Sequence, residues 1–481
     1  MKLNSKRTIL VGFAFLLISM FWSVYDGIVA KMLINTFGLD QLWSGVVLSI
    51  DNVIALFLLP IFGVISDKTR SRFGKRTPYI FIGTIIAAVF FVAISAIDFM
   101  QLTVVNEQGI GPILFVEAQN IYTFAGSALE FTTKEAAAAA RAALILENVT
   151  KLHPGYLALF IGLLLIVLVA MASFRTPAVS MMPDVTVKPL RSKANAIINL
   201  MGTVGGVISL VYMTFTAKDY ESYILTALLT SVLMIVFLIL FLISVKEIKW
   251  AKEMHEQAVA YGIEDQKSVA ELEAGKAEKM SPEVFRSFIF IMASIVLWFA
   301  GYNAATSKFS VYAGDVLDTG FTIPLLIAQG AAIISFVPIG IIATKVGRKK
   351  TIMFGIALIT AAFILGSFVT SSTWFLIWVT MALAGIGWAS INVNSYPMVV
   401  EMSRGSNIGK YTGYYYTASM SAQIFTPILS GALMGAFGYW ILFPYCALFS
   451  ALAFVTMLFV KHGDAKPVPT SKLEALAGAD D

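Results

Sequence analysis

The sequence has little of what an enzyme or a metal protein uses. Its one cysteine, Cys446, excludes an internal disulfide and a cysteine-rich metal site. The three histidines, His153, His255 and His462, lie outside the apolar segments, and there is no paired-histidine motif, acidic metal cluster or nucleophile constellation. We therefore expect no cofactor, no metal and no catalytic residues, and a membrane enzyme is only a rival interpretation.

Charge is scarce as well, because 13% of the 481 residues are charged and 58% are hydrophobic. Soluble domains contain about a quarter charged residues, so this is the composition of a membrane protein, and the bilayer is its expected partner. The net charge of +5 does not indicate nucleic-acid binding. The basic residues lie between apolar segments, where membrane topology explains them.

Twelve apolar segments reach the length of roughly 20 residues that a helix needs to cross a bilayer. Backbone groups in lipid must be satisfied internally, and nothing alternates like a barrel strand, so these segments are predicted to be helices. The predicted spans are 8–37, 42–66, 78–98, 155–183, 194–216, 222–245, 284–311, 321–344, 351–370, 374–401, 411–436 and 439–460. The expected fold class is an all-α polytopic membrane protein with two six-helix halves.

The positions of the basic residues predict the orientation. Twenty lysines and arginines fall in loops on the side of the two termini, against four in loops on the other side. The positive-inside rule then places both termini in the cytoplasm of a multi-pass protein of the cell membrane, inner or plasma.

Two segments of soluble composition divide the chain. The predicted organisation is an N-terminal half over 1–245 with an outer insertion at 99–154, a cytoplasmic connector over 246–283, a C-terminal half over 284–460 and a cytoplasmic tail over 461–481. The insertion contains the helical stretch KEAAAAARAALILEN.

The two halves carry similar motifs in equivalent inner loops. The motifs are Gly63-x-x-x-Asp67 followed by Gly74-Lys75-Arg76, and Gly340-x-x-x-Thr344 followed by Gly347-Arg348-Lys349-Lys350. A six-plus-six repeat is a transporter architecture, in which the substrate binds between the repeats near the middle of the membrane.

The first of these motifs resembles the signature of the major facilitator superfamily. The strings GVISDKTRSRFGKRTPYI and FRTPAVSMMPDVTVKPLRSKAN are similar to the helix 2–3 and helix 4–5 regions of the sucrose transporter family and, more loosely, of the glycoside–pentoside–hexuronide:cation symporters. The second half resembles them mainly through GIGWASINVNSYPMVVEM. The resemblance implies a major facilitator fold and sugar transport coupled to a cation.

The sequence departs from this family at the positions expected to bind sodium. Melibiose-type carriers hold acids one and five residues before the proline that corresponds to Pro60, where this chain has Leu59 and Ala55. The acid in this span is Asp51, and an acid also occurs in the first span, Asp26. We therefore predict a proton as the coupling ion, carried by Asp51 and Asp26, with sodium as the alternative.

Polar residues inside the spans are the candidate substrate ligands, because a charge in the bilayer costs at least ~2.5–3.5 kcal/mol. Asp26 can accept sugar hydroxyls, Trp22 can cover the apolar face of a pyranose, and Arg175 can donate a fork of hydrogen bonds. The alternative for each is an ion pair or hydrogen bond between helices. The predicted substrate-binding residues are Trp22, Asp26, Arg175, Asn199, Trp298, Tyr302, Asn303, Asn392, Tyr415 and Gln423.

The inner loops are predicted to act in switching. Asp67 ends the second span beside basic residues, and it can also face the positive amino end of another helix. Contacts that exist in only one of two states set the equilibrium between them. The alternative is that these charges only determine topology. The predicted gating residues are Gly63, Asp67, Arg72, Gly74, Lys75, Arg76, Asp184, Arg191 and Glu401.

The sequence therefore predicts a secondary active transporter, expected to be a monomer, that carries a disaccharide, oligosaccharide or glycoside together with a proton. Its two halves would rock to give alternating access to a central site. An uncoupled sugar carrier or exporter on the same fold and a membrane sugar receptor remain open as alternatives.

Overall fold

The computed structural model describes residues 3–39, 41–117, 119, 121–127, 129–132, 134–217, 220–263, 280–317, 319, 322–403 and 407–464. The helices of the first part of the chain are α1 (Ser5–Lys31), α2 (Gln41–Lys68), α3 (Thr77–Glu107), α4 (Lys134–Ile145), α5 (Pro154–Asp184), α6 (Arg191–Thr216), α7 (Ile224–Ser244) and α8 (Glu247–Ala260). Those of the second part are α9 (Pro282–Asp315), α10 (Thr322–Val346), α11 (Arg348–Gly366), α12 (Leu376–Glu401), α13 (Ile408–Phe437) and α14 (Leu442–Leu458).

Twelve of these helices are long enough to cross a membrane. Among the described residues, eleven are also apolar enough by composition, and the twelfth, α13, is a 30-residue helix with many polar side chains packed between the others. The prediction of an all-α fold with twelve spans is confirmed. We call the face on which α1 begins and α14 ends the terminal face, and the other the distal face.

The helices pack closely where small residues allow it and expose apolar side chains elsewhere. A Cβ placed on Gly205 of α6 would overlap the carbonyl of Leu16 on α1, so these two backbones are in direct contact. By contrast, Phe57, Ile334 and Phe368 are 63%, 76% and 76% exposed. Large apolar side chains at such positions face lipid in a membrane protein.

Two features near the distal face differ from the predicted helices. Helix α3 continues to Glu107, beyond the predicted end of its span at residue 98. The insertion contains an antiparallel hairpin, β1 (Ile113–Val116) with β2 (Ile121–Phe124), which the sequence did not predict. Buried Arg141 of α4 fastens the insertion to the distal end of α1 by donating to the Asn35 carbonyl at 2.7 Å.

The predicted connector contains α8, which lies on the terminal face. Its Glu253 pairs with Arg7 of α1 at 2.5 Å. Residues 264–279 of the connector and 465–481 of the tail lie outside the described residues. The predicted domain boundaries therefore stay a prediction.

Candidate functional site

The two halves are joined on the terminal side. Among the described residues, every hydrogen bond between the halves lies between the terminal face and about the middle of the helices. Ser180 of α5 donates to Thr412 of α13 at 2.9 Å, and Thr417 donates to the Leu56 carbonyl of α2 at 3.4 Å. The structure is therefore closed on its terminal side.

Asp67 is at the centre of this closure. Its two carboxylate oxygens accept from the backbone N–H groups of Gly409 and Lys410, each at 2.9 Å. These are free N–H groups at the start of α13, where the helix dipole favours an anion. Gly63, one turn earlier on the same face of α2, lets the helices touch, because a Cβ there would overlap the Gly409 carbonyl.

Arg76 ties Asp67 to the end of α5. Its fully buried guanidinium donates to Asp67 at 2.5 Å, to Asp184 at 2.8 Å and to Ser66 at 2.5 Å. Lys75 also pairs with Asp184, at 3.0 Å. Burial alone would lower the pKa of Arg76, but the Asp184 and Asp67 carboxylates outweigh it and hold that pKa above its ordinary value. Arg76 therefore stays charged at physiological pH, and the network does not depend on its titration.

Glu247, the first residue of α8, binds the backbone of residues 75–77, where the loop after α2 leads into α3. Its carboxylate accepts from the backbone N–H of Lys75 at 2.7 Å and of Arg76 and Thr77 at 2.9 Å. It is 5% exposed. Gly74 has a φ of 109°, and a Cβ there would collide with this carboxylate. The acid thus caps α3 and fixes the backbone that presents Arg76.

The second half repeats the arrangement with different acids. Glu401 at the end of α12 accepts from Arg348 at 3.0 Å and from Arg191 of the other half at 3.3 Å. Asp464 accepts from the Arg348 backbone N–H at 2.6 Å, and Gly347 beside it has a φ of 102°. Each half therefore has a buried arginine, an acid at the end of its fourth membrane-spanning helix and an acid after its last membrane-spanning helix.

Of the nine predicted gating residues, the structure brings all but Arg72 into these two networks. Arg72 is exposed, and its guanidinium lies 4.8 Å from the centre of the Phe73 ring. Sequence reasoning missed Glu247, Arg348 and Asp464. Arg348 follows Gly347 within the repeated motif, which was a usable signal, whereas the two acids lie in no motif.

A cavity of about 500 Å³ lies between α1, α2 and α13, beyond this closure toward the distal face. Asp26 and Tyr25 contribute from α1, Asp51 and Asn52 from α2, and Gln423 from α13. Asp26 is exposed in this cavity, and Asp51 is half-buried. Three predicted residues thus meet at one cavity, at the interface between the halves.

Arg175 interacts with the two acids of the cavity and with two aromatic rings. Its guanidinium carbon lies 5.7 Å from the centre of the Trp22 ring and 4.8 Å from that of Tyr416. It interacts electrostatically with both Asp26 and Asp51. The guanidinium of Arg175 is thus stabilised by two aromatic rings and by two carboxyl groups nearby.

Five predicted residues carry a buried donor that has no partner among the described residues. They are the donors Trp22 Nε1, Arg175 Nε, Asn199 Nδ2, Trp298 Nε1 and Asn303 Nδ2. An unsatisfied buried polar group costs about 1–3 kcal/mol, so each such atom requires an explanation. These five N–H groups belong to both halves, and each requires a hydrogen-bond acceptor.

Asp26 and Gln423 line the cavity, and the other three predicted ligands contact neighbouring residues of the protein. Tyr302 stacks on Trp388 with ring centres 4.0 Å apart, an aromatic neighbour that sequence reasoning missed. The Tyr415 hydroxyl lies 3.1 Å from Ser395, and this ring is buried in the closed layer. The Asn392 carbonyl accepts from Asn195 across the two halves. The Asn392 backbone thus contributes to closure in this state, whereas Tyr415 packs within the second half.

The cavity lining combines the carboxyl groups of Asp26 and Asp51 with the side-chain amide of Gln423 and the buried Tyr25 hydroxyl, which has no partner among the described residues. The lining includes two acids and, among the described residues, no basic side chain, which disfavours an anionic ligand. A neutral molecule with many hydroxyl groups matches both the acceptors and the donors, while its C–H faces can cover Trp22.

Comparisons with known proteins agree with this architecture. The family model described as Major Facilitator Superfamily matches residues 135–345 and 322–479, and the model described as MFS/sugar transport protein matches residues 10–127. No curated protein sequence matches the chain significantly.

Solved structures show the same fold at low sequence identity. The proton:xylose symporter XylE bound to 6-bromo-6-deoxy-D-glucose has a TM-score of 0.63 at 16% identity, covering 98% of this chain and 100% of its own. A bacterial homologue of the iron transporter ferroportin in the outward-facing state has 0.63 at 12%, covering 95% and 99%. The human organic anion transporter MFSD10 has 0.58 at 12%, covering 95% and 100%. At these identities the likeness concerns the fold alone.

Proposed function

The chain belongs to the major facilitator superfamily, and from that premise we propose that it transports a neutral sugar together with a proton. The substrate class is a disaccharide, oligosaccharide or glycoside that binds in the cavity between the halves. The observation that carries the proposal is the pair of carboxylates, Asp26 and Asp51, in a cavity between the halves, together with unpaired buried donors in both halves. Sugar hydroxyls can satisfy both, since each hydroxyl donates and accepts.

Transport would proceed by alternating access. In the present state the Asp67 and Glu401 networks close the terminal side and the cavity lies toward the distal side. Sugar binding would draw the distal parts of the helices together and break the terminal networks. Both halves supply unpaired donors, so a bound sugar connects them directly.

Coupling would use the two carboxylates and Arg175. With a proton on Asp51, Arg175 keeps Asp26 as its anionic neighbour, and the cavity becomes neutral. Release of that proton on the other side leaves two carboxylates competing for one guanidinium, which favours return of the empty carrier. Ala55 and Leu59 at the sodium-type positions of the resembling family support a proton rather than sodium.

We also propose that the protein acts as a monomer in the cell membrane with both termini in the cytoplasm. The support is the excess of basic residues in loops of the terminal face. The cavity of the present state would then open toward the outside.

The test is uptake of a panel of labelled mono-, di- and oligosaccharides and glycosides into proteoliposomes under an imposed pH or sodium gradient. We expect accumulation of at least one neutral sugar that follows the pH gradient and collapses with a protonophore. Asp26→Asn vesicles, reconstituted at equal density, are the matched control and should show strongly reduced uptake at a low sugar concentration. Transport of organic anions instead of any sugar would contradict the proposal.

A further inference from the structure

A second cavity lies on the outer surface of the first half, away from the site between the halves. It is a groove of about 650 Å³ between α2, α3 and α5, in the membrane leaflet of the terminal face. Phe62, Ile82 and Val169 are among its lining side chains, one from each helix. Ile82 and Val169 are 54% and 40% exposed, so the groove is open sideways to lipid.

The groove offers nothing to a polar ligand. Its lining polar groups are already paired: the Thr69 hydroxyl lies 2.7 Å from the Tyr79 hydroxyl, and Ser173 donates to the Ala170 carbonyl at 2.7 Å. An occupant must therefore be apolar over the length of the groove. An acyl chain meets this condition, and the groove is continuous with the lipid-facing surface of α3 and α5.

An apolar groove by itself does not select one lipid, because the surrounding bilayer solvates every acyl chain equally well. Selection has to come from the head group. The end of α2 and the loop after it supply a basic cluster at this level, Lys68, Arg70 and Arg72. All three side chains are exposed, and none has an ion-pair partner among the described residues.

The same loop uses its other basic residues for the gate. Lys75 and Arg76 are paired with Asp184 and Asp67. This region thus has two charges paired with carboxylates and three exposed charges without an ion-pair partner among the described residues. Tyr79 at the groove's terminal end and Phe73, which is 60% exposed, are aromatic residues of the kind found at the level of lipid head groups.

We propose that this groove binds one acyl chain of an anionic phospholipid whose phosphate is held by Lys68, Arg70 and Arg72. Basic residues near an anionic head group each strengthen its binding about fivefold, so three give a preference on the order of 100-fold over a zwitterionic lipid. The bound lipid would also hold the 69–76 loop, whose Arg76 closes the gate. The proposal does not depend on which molecule the central cavity carries.

The experiment measures lipid retention by native mass spectrometry after delipidation in detergent and re-addition of equal phosphatidylglycerol and phosphatidylethanolamine. The wild-type protein should retain about one phosphatidylglycerol. The head-group variant is Lys68→Gln/Arg70→Gln/Arg72→Gln, and its matched control is Lys345→Gln/Lys350→Gln, two exposed basic residues at the equivalent end of the other half. The variant that blocks the groove to the acyl chain is Val169→Trp. Its control is Val236→Trp, a substitution at an exposed valine of α7.

Both test variants should lose the bound phosphatidylglycerol, and both controls should keep it. Equal retention of the two lipids by the wild-type protein would overturn the proposal. Full retention of phosphatidylglycerol by Val169→Trp would also overturn it, because the acyl chain would then lie outside the groove. Unchanged thermal unfolding in lipid-free detergent shows that a variant has lost its lipid and not its fold.

Discussion

Asp26 is the residue on which substrate binding depends most in this account. It is exposed in the cavity between the halves, one turn after Trp22 and within electrostatic reach of Arg175. A carboxylate that accepts two sugar hydroxyls forms charge-assisted hydrogen bonds, which an amide reproduces only in part.

We expect Asp26→Asn to weaken sugar binding by about 10–150-fold, since hydrogen bonds to a charged group contribute roughly 1.5–3 kcal/mol. Calorimetry on the purified protein measures this. Asn52→Ala, which alters a neighbouring residue of the same cavity without changing its charge, is the control and should lose less affinity. An unchanged affinity in Asp26→Asn would remove this residue from the substrate site.

Asp51 has a different expected role. Because it lies at the same cavity on α2 and interacts with both Asp26 and Arg175, its protonation sets the charge of the site. Asp51→Asn mimics the protonated form permanently. We expect sugar exchange across the membrane at equal concentrations to continue in this variant, while accumulation driven by a pH gradient is lost. Loss of exchange as well would mean that Asp51 binds sugar and not only the proton.

At the level of helices, the contact of α2 with α13 is the element that closes the terminal side. Asp67 caps α13, and Gly63 lets the two backbones touch. A carboxylate at a partly buried helix start contributes about 1–2 kcal/mol. This contact exists only while the terminal side is closed, so its loss should shift the equilibrium toward the open form.

We expect Asp67→Asn to raise the population open to the terminal side by about 5–30-fold with sugar affinity retained. Labelling of Ser180→Cys, a buried position in the closed layer, reports this opening in a Cys446→Ala background. Ser49→Cys, in the distal cavity, reports the opposite side. Lys350→Gln is the control, because Lys350 is an exposed basic residue of α11 on the same face and has no ion-pair partner among the described residues. Labelling equal to the parent together with lost affinity would place Asp67 in the binding site.

Gly63→Ala tests the same contact by sterics. The added methyl group overlaps the Gly409 carbonyl, so the closed form is strained and Ser180→Cys should label faster. Gly206→Ala is the matched control, because no atom lies within 4 Å of the position of its Cβ. Equal labelling of the two variants would show that α2 and α13 do not need this close contact.

Helix positions followed from the sequence wherever an apolar segment was uninterrupted. The end of α3 did not, because Asp98 and Gln101 resemble the start of a polar loop. In the structure both are fully buried, and Gln101 donates to Thr150 of the insertion at 3.1 Å, so the helix continues. Thr150, the residue of the insertion that accepts from Gln101, lies 49 residues further along the chain, and no local pattern specifies this contact.

The candidate site shows the same limit. Asp26, Asp51 and Arg175 were visible as charges within apolar helices, and Asp67 as part of a spaced motif. Trp388 and Glu247 were not, because an aromatic residue in an apolar span and an acid in a charged loop are both ordinary. Only packing places Trp388 on Tyr302 and the Glu247 carboxylate on three N–H groups of the α3 start.

At the scale of the whole molecule, the structure is one state of a transporter, in which the terminal side is closed. Hydrogen bonds between the halves close the terminal side, and a cavity that contains Asp26 and Asp51, which both interact electrostatically with Arg175, lies beyond them. Neither half alone contains this site. The account therefore requires that sugar and proton cross together through the interface between the halves.

The direct measurement is the pH inside lightly buffered proteoliposomes that contain a fluorescent pH indicator, after addition of a transported sugar outside with no ion gradient imposed. The account predicts that sugar entry acidifies the interior, that the acidification disappears in Asp51→Asn while sugar still enters, and that replacing sodium by potassium changes nothing. Sugar entry into wild-type vesicles without acidification, or with a requirement for sodium, would contradict it.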